Sequence, residues 1–106
     1  MVELTLPLEA AAASFDCKLA VLADEKAICA DPALSEKDVQ MTTTYNLLKG
    51  LLLMGARGAL QDEQGEWLKK RQQCGANHTC LLQLYDRRIQ TLMDAYNNIA
   101  RTINSD

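Results

Sequence analysis

Apolar residues recur at helical intervals along most of this chain. The clearest run lies near the C-terminus, where Leu81, Tyr85, Leu92, Tyr96, Ile99 and Ile103 fall on one stripe. Leu84, Ile89 and Met93 widen it, and Asp86, Arg87, Arg88 and Asp94 flank it. That spacing predicts an amphipathic helix from about Cys80 to Ile103. Upstream, Leu34, Met41, Tyr45, Leu48 and Leu52 form a second stripe. Ser35 followed by Asp38 reads as a capping box, with Asp in place of Glu, that starts this helix. Thr42, Thr43 and Thr44 are poor helix formers, so packing must carry that section. Leu51 to Met54 is apolar all round, which reads as burial in the core; the alternative is a partner or dimer surface.

Gly55 and Gly58 predict a break, and a third helix follows from about Ala59 to Cys74. Its stripe is Leu60, Gln64, Trp67, Arg71 and Cys74, so two polar residues share a face with the only tryptophan. A buried Arg needs an acid, and Glu25 and Asp38 are the candidates. We therefore read Glu25, Asp38, Gln64, Trp67 and Arg71 as a structural polar network around a core tryptophan. The alternative is a binding hot spot centred on Trp67. Gly65, costly inside a helix, suggests close approach by another segment.

Nearer the N-terminus the pieces are shorter. A first helix begins at Ser14 or Asp16 and carries Cys17, Leu19, Ala20 and Val21. A second runs from Asp24 through Cys29 and ends at Asp31-Pro32, because the residue before proline avoids the α region. Neither is long enough to be stable alone. A link between Cys17 and Cys29 would hold them as a hairpin and would close a loop of about 13 residues, worth roughly 3 kcal/mol in the chain-entropy model. Cys74 and Cys80 enclose Gly-Ala-Asn-His-Thr, a turn composition with Gly75 placed after a helix end and Thr79 placed to cap the next helix. A bridge there would staple a corner.

The reading is thus all-α: a bundle of about four helices, stapled by two local disulfides. Residues 14–103 form one domain, residues 1–13 a flexible N-terminal segment and residues 104–106 a frayed tail. The 106 residues suit one domain with a modest core, and two prolines with few β-branched residues fit a helical chain. A net charge of −3 makes nucleic acid an unsuitable partner and is compatible with a cationic protein. No segment is long enough to span a membrane. Four cysteines in so small a domain point to disulfides and an oxidising compartment; reduced, buried thiols are the alternative. The start, MVELTLPLEAAAAS, lacks basic residues and carries Glu3 and Glu9, so it is a poor signal peptide. It reads as a replacement start on a mature, exported form, with Ala10 to Ala13 close to a former cleavage site.

Chemistry is sparse. His78 is the only histidine and has no evident nucleophile or orienting partner, so no catalytic residue is assigned. Cys74, His78 and Cys80, with Cys17 or Cys29 as a fourth ligand, are the sole zinc set, but the spacing is irregular, and no metal or cofactor is expected. Asn77-His78-Thr79 matches a glycosylation sequon, relevant only in a eukaryotic secretory pathway. Asp62, Glu63 and Glu66 lie largely off the Trp67 stripe. They form a solvated face, or a surface that steers a cationic partner.

Several blocks together resemble the LprI-like family, small secreted bacterial domains named after a mycobacterial lysozyme inhibitor. They are SFDC with EKAICADPALS (residues 14–17 and 25–35), Asp38 with Tyr45, EQGEWLKKRQQC around Gln64, Trp67, Arg71 and Cys74, and CLLQLYDRRI with Cys80, Leu81, Tyr85 and Arg88. The connection LLLMGARGAL is more glycine-rich than the pattern, and nothing before Ser14 matches it. The resemblance implies a helical, exported periplasmic or secreted domain with Cys17 paired to Cys29 and Cys74 to Cys80. It implies lysozyme inhibition as one activity, which would act by occluding the cleft of that cationic enzyme; a structural or adaptor module of the envelope with no inhibitory activity is the alternative reading.

Overall fold

A computed structural model describes residues 13–104; the expectations for residues 1–12 and for 105–106 lie outside the described residues. Among the described residues the chain forms a 3₁₀ turn, Cys17–Leu19, and four helices: α1 Ala23–Ala30, α2 Pro32–Leu51, α3 Met54–Cys74 and α4 His78–Asn104. No strand occurs among these residues. The all-α, disulfide-stapled architecture is therefore as expected, with α2 and α4 sharing the most extensive contact and α1 lying against α2 and α3. The particle is elongated, 54 × 36 × 23 Å.

The two long stripes become the core. Leu34, Met41 and Leu48 of α2 meet Leu81, Tyr85, Ile89 and Leu92 of α4, and Leu60 and Trp67 of α3 and Ile28 of α1 complete the cluster. Each fully buried aliphatic side chain contributes about 1.5–3 kcal/mol. Ala13, placed by sequence before the domain, packs partly buried against this cluster. At the far end of α4 the stripe runs out, with Ile103 exposed, and Met93 at its edge is 41% exposed.

The helix ends depart from expectation in four places, each with a local cause. The first short helix is only the 3₁₀ turn, capped by Asp16, whose carboxylate accepts from Lys18 N at 2.9 Å. α2 starts at Pro32 rather than at Ser35. Asp31 accepts from Ala33 N at 2.9 Å, and Pro32 occupies the first helical position, where its missing N–H costs nothing. Asp31-Pro32 thus ends one helix and begins the next. Ser35 is buried, and its hydroxyl donates to the Ile28 carbonyl at 2.6 Å, tying α2 to α1.

The break between α2 and α3 falls at Leu52-Leu53, not at the glycines, and Gly55 and Gly58 lie inside the first turns of α3. Arg57 donates from Nη2 to the Leu52 carbonyl at 2.9 Å across this corner. Of the run Leu51 to Met54, expected to be buried, Leu52 packs partly buried against the core, but Leu53 is 84% and Met54 88% exposed. Gly65 is exposed on α3, and a Cβ there would meet no heavy atom within 4 Å, so no segment approaches it. At the last corner, Gly75 takes a positive φ of 57° after α3, as its place in the sequence implies. The cap of α4 is Asn77, not Thr79: Cys80 N donates to Asn77 Oδ1 at 2.9 Å.

Both disulfides are formed. Cys17–Cys29 ties the 3₁₀ turn to α1 with a Cα separation of 5.8 Å, and Cys74–Cys80 closes the α3–α4 corner with 5.6 Å. Replacing Cys17 and Cys29 by Ser together is expected to lower stability by about 3 kcal/mol, and the Cys74/Cys80 pair by roughly 2 kcal/mol, because the second loop is shorter. Urea unfolding of the two variants measures both losses and their order.

Candidate functional site

The interior carries an unusual load of charge. Asp24, Asp38, Arg71 and Arg88 are all buried, the two aspartates to 1% exposure. Arg71 projects from α3 on the same stripe as Leu60, Gln64 and Trp67 and reaches the point where all four helices meet. Its Nε donates to Asp24 Oδ2 at 2.7 Å, and its Nη1 lies 3.7 Å from Asp38 Oδ1. Tyr85 of α4 donates its hydroxyl to Asp38 Oδ1 at 2.6 Å and accepts from Arg71 Nη1 at 3.4 Å. The other Asp38 oxygen accepts from the Ser14 backbone N–H at 2.8 Å and from the Ser14 hydroxyl. Thr42 donates to that hydroxyl at 3.1 Å. The Phe15 ring covers the guanidinium, 5.6 Å from Cζ to centroid.

These contacts set the protonation states. Burial pushes the Tyr85 phenol far up, and the adjacent Asp38 carboxylate adds to that, so Tyr85 stays a donor. Burial works against the Arg71 charge, but Tyr85 and Asp24 outweigh it, and the guanidinium titrates above its ordinary value. The arrangement fixes one cation between two carboxylates and gives each carboxylate hydrogen-bond partners, as buried charge requires.

Of the acids named from the sequence, Asp38 lies in this centre and Glu25 does not. Asp24 holds the position next to Arg71. Adjacent helical residues point about 100° apart, and Asp24, four residues before buried Ile28, is the one turned inward. That i, i+4 relation was the available signal. Glu25 turns back instead and accepts from Val21 N at 3.0 Å and Leu22 N at 3.2 Å, covering free N–H groups at the start of α1. Those two backbone bonds, Val21 first, hold its carboxyl below the usual range, with a smaller pull from Arg71.

Gln64 and Trp67 lead to a second cluster. Arg88 of α4 donates from Nε to Gln64 Oε1 at 3.0 Å and from Nη1 to Glu63 Oε1 at 2.7 Å. Gln64 turns its amide to Met41 Sδ at 3.2 Å. Trp67 is buried and meets Tyr85 edge to face, 5.1 Å between centroids at 64°. Its indole Nε1 and Arg88 Nη2 are buried without a hydrogen-bond partner among the described residues.

On the surface, Asp62, Glu63 and Glu66 are all exposed on α3, but they are not equally free. Glu63 is engaged by Arg88, and Glu66 pairs with Lys69 at 3.2 Å. Asp62 has no such partner among the described residues. His78 begins α4, and its Nε2 sits 2.8 Å from Asp31 Oδ2, linking the starts of α4 and α2. With all four cysteines in disulfides, the zinc set built from Cys74, His78 and Cys80 loses its thiolates. Between α2, α3 and α4, an open apolar cavity of about 310 Å³ is lined by Leu48, Leu52, Ala56, Leu60, Leu92 and Ile99, close to the exposed Leu53 and Met54.

Fold and interior together define a small helical domain, held at two corners by disulfides and at its centre by a buried Arg–carboxylate cluster. A family model described as "Lysozyme inhibitor LprI" matches residues 17–92, well over half the chain, and the chain belongs to that family. The matched span includes both disulfides and the side chains of Asp24, Asp38, Arg71, Tyr85 and Arg88. No curated protein and no solved structure matches the chain.

Truncating Trp67 to Ala is expected to destabilise the fold by about 3–5 kcal/mol, read by chemical denaturation; an unchanged midpoint would contradict its packing role. Glu25 gives a pH signature. Its folded-state value is depressed, so its contribution is present above the unfolded carboxylate value and disappears as pH falls through the folded one. Because the group is near the surface, the contribution is below about 1 kcal/mol. Glu25→Gln should therefore be less stable than the parent at neutral pH, and the difference should vanish in strong acid.

Proposed function

We propose that this chain is an exported binding protein of the bacterial envelope that inhibits lysozyme by occluding the enzyme's cleft. Membership of the LprI family, over residues 17–92, is the observation that carries the reading. Two disulfides fit an oxidising compartment outside the cytoplasm. No helix of the described residues is long and apolar enough to cross a membrane. Inhibition by occlusion asks for a rigid body rather than a reactive group, and the buried centre and two staples supply rigidity.

The outer face of α3 is the surface we assign to the enzyme. Among the described residues Asp62 is exposed and unpaired, Glu66 pairs with a solvent-exposed Lys69, and one Glu63 oxygen is engaged by Arg88. Carboxylates so placed steer a basic partner and speed association. The contrasting reading is an envelope adaptor without inhibitory activity, and the exposed Leu53 and Met54 at the α2–α3 corner favour it.

The test is titration of c-type lysozyme activity with the oxidised protein at low and physiological salt. Stoichiometric inhibition that weakens with salt is the expected outcome. Asp62→Lys with Glu66→Lys should slow association by about tenfold or more at low salt while leaving the fold intact. Absence of both binding and inhibition would leave the adaptor reading, tested by co-purification of an envelope partner through Leu53 and Met54.

A further inference from the structure

The groove between α3 and α4 differs in chemistry from the acidic face of α3. It encloses about 320 Å³ and is lined by Trp67, Lys70, Leu84, Arg87, Arg88 and Thr91. Three of the six are cationic, on a chain whose net charge is −3. No carboxylate belongs to the lining. Glu63 neutralises Arg88 from one side at Nη1. Glu66, one turn before Lys70, pairs with Lys69 instead. Lys70 and Arg87 are exposed, and neither pairs with a carboxylate among the described residues.

The floor of the groove is more telling than its rim. Trp67 and Arg88 are each 6% exposed, and each keeps one buried N–H group with no acceptor among the described residues: indole Nε1 and guanidinium Nη2. An unmade buried hydrogen bond costs about 1–3 kcal/mol, more for a charged group, and native interiors leave few such groups. The one hydroxyl of the lining, on Thr91, already donates to the Arg87 carbonyl at 3.0 Å. What remains unspent is entirely donor and largely positive: the indole N–H, one arm of Arg88, the Arg87 guanidinium and the Lys70 ammonium. A ligand that fits this set brings acceptors and negative charge.

We propose that the α3–α4 groove binds an oxyanion, a carboxylate or phosphate group of a ligand, with Arg87 and Lys70 at the rim and Trp67 Nε1 and Arg88 Nη2 beneath. Charge-assisted bonds from Arg to such groups are the strong class of hydrogen bond. The site does not depend on the lysozyme reading and would stand if that reading fell.

Trp67 is the only tryptophan, so its indole N–H gives a single, unambiguous NMR cross-peak from a residue that lines this groove. The oxidised full chain, labelled with ¹⁵N, is titrated with inorganic phosphate and separately with succinate, with chloride holding ionic strength constant at fixed pH. A saturable shift of the indole peak is expected. Saturation by phosphate alone assigns a phosphate ligand, saturation by succinate alone a carboxylate, and saturation by both a general oxyanion site. Arg87→Ala and Lys70→Ala, both at exposed positions, should each weaken binding by about tenfold, with helical circular dichroism unchanged. Asp62→Asn should leave it unaltered. An indole peak that moves with neither anion, or moves equally in Arg87→Ala and Lys70→Ala, overturns the proposal.

Discussion

The Arg71 guanidinium, held between Asp24 and Asp38, is the contact on which the rest of the arrangement depends. It gathers one residue from each helix: Asp24 from α1, Asp38 from α2, Arg71 itself from α3 and Tyr85 from α4. Burying such a cluster brings little net stability, because desolvation offsets most of the Coulomb gain. Its effect is on uniqueness. A helix rotated by one residue, about 100°, would leave a charge buried and unpaired at a cost of several kcal/mol. Apolar packing alone would tolerate more than one rotation of these stripes; the charge cluster does not.

The disulfides act on a different scale. Each closes a short loop, between positions 12 and 6 residues apart, and neither crosses the body of the protein. Cys17–Cys29 fixes the segment that delivers Ser14 and Phe15 onto Asp38 and Arg71, and it steadies α1, whose eight residues could not hold a helix unaided. The staple and the ion cluster therefore support one another: the first shortens the search for α1, and the second orients it. The outcome is a body that carries exposed carboxylates along α3 on one side and forms the donor-lined groove with α4 on another.

Much of this was legible in the sequence. The α2 and α4 stripes lie in the core, the helical class follows from their spacing, and Gly75 sits where its composition placed it. The misses share a cause. Asp31-Pro32 was read only as a stop, although the same pair caps and opens α2. Gly55 and Gly58 read as a break, yet a glycine near the start of a helix costs only about 1 kcal/mol, which neighbouring contacts outweigh. Leu51 to Met54 was read as core because composition alone does not reveal that the chain turns there. The sequence reading names Glu25 as a partner for Arg71 and leaves out its neighbour Asp24, whereas the rotation of α1, shown by buried Ile28 and by a Glu25 carboxylate spent on backbone N–H groups, puts Asp24 inside. The unpartnered Trp67 and Arg88 donors carry no sequence signal, since they arise from where two helices meet.

A double-mutant cycle on Asp24 and Arg71 tests the central claim most directly. Asp24→Asn, Arg71→Gln and the double variant would be compared by urea unfolding. If Arg71 is the shared anchor of the helices, either single change leaves a buried charge without its partner, and the double change costs less than the sum by about 1–3 kcal/mol. Losses that simply add would contradict the account and return the orientation of α1 to apolar packing and its disulfide.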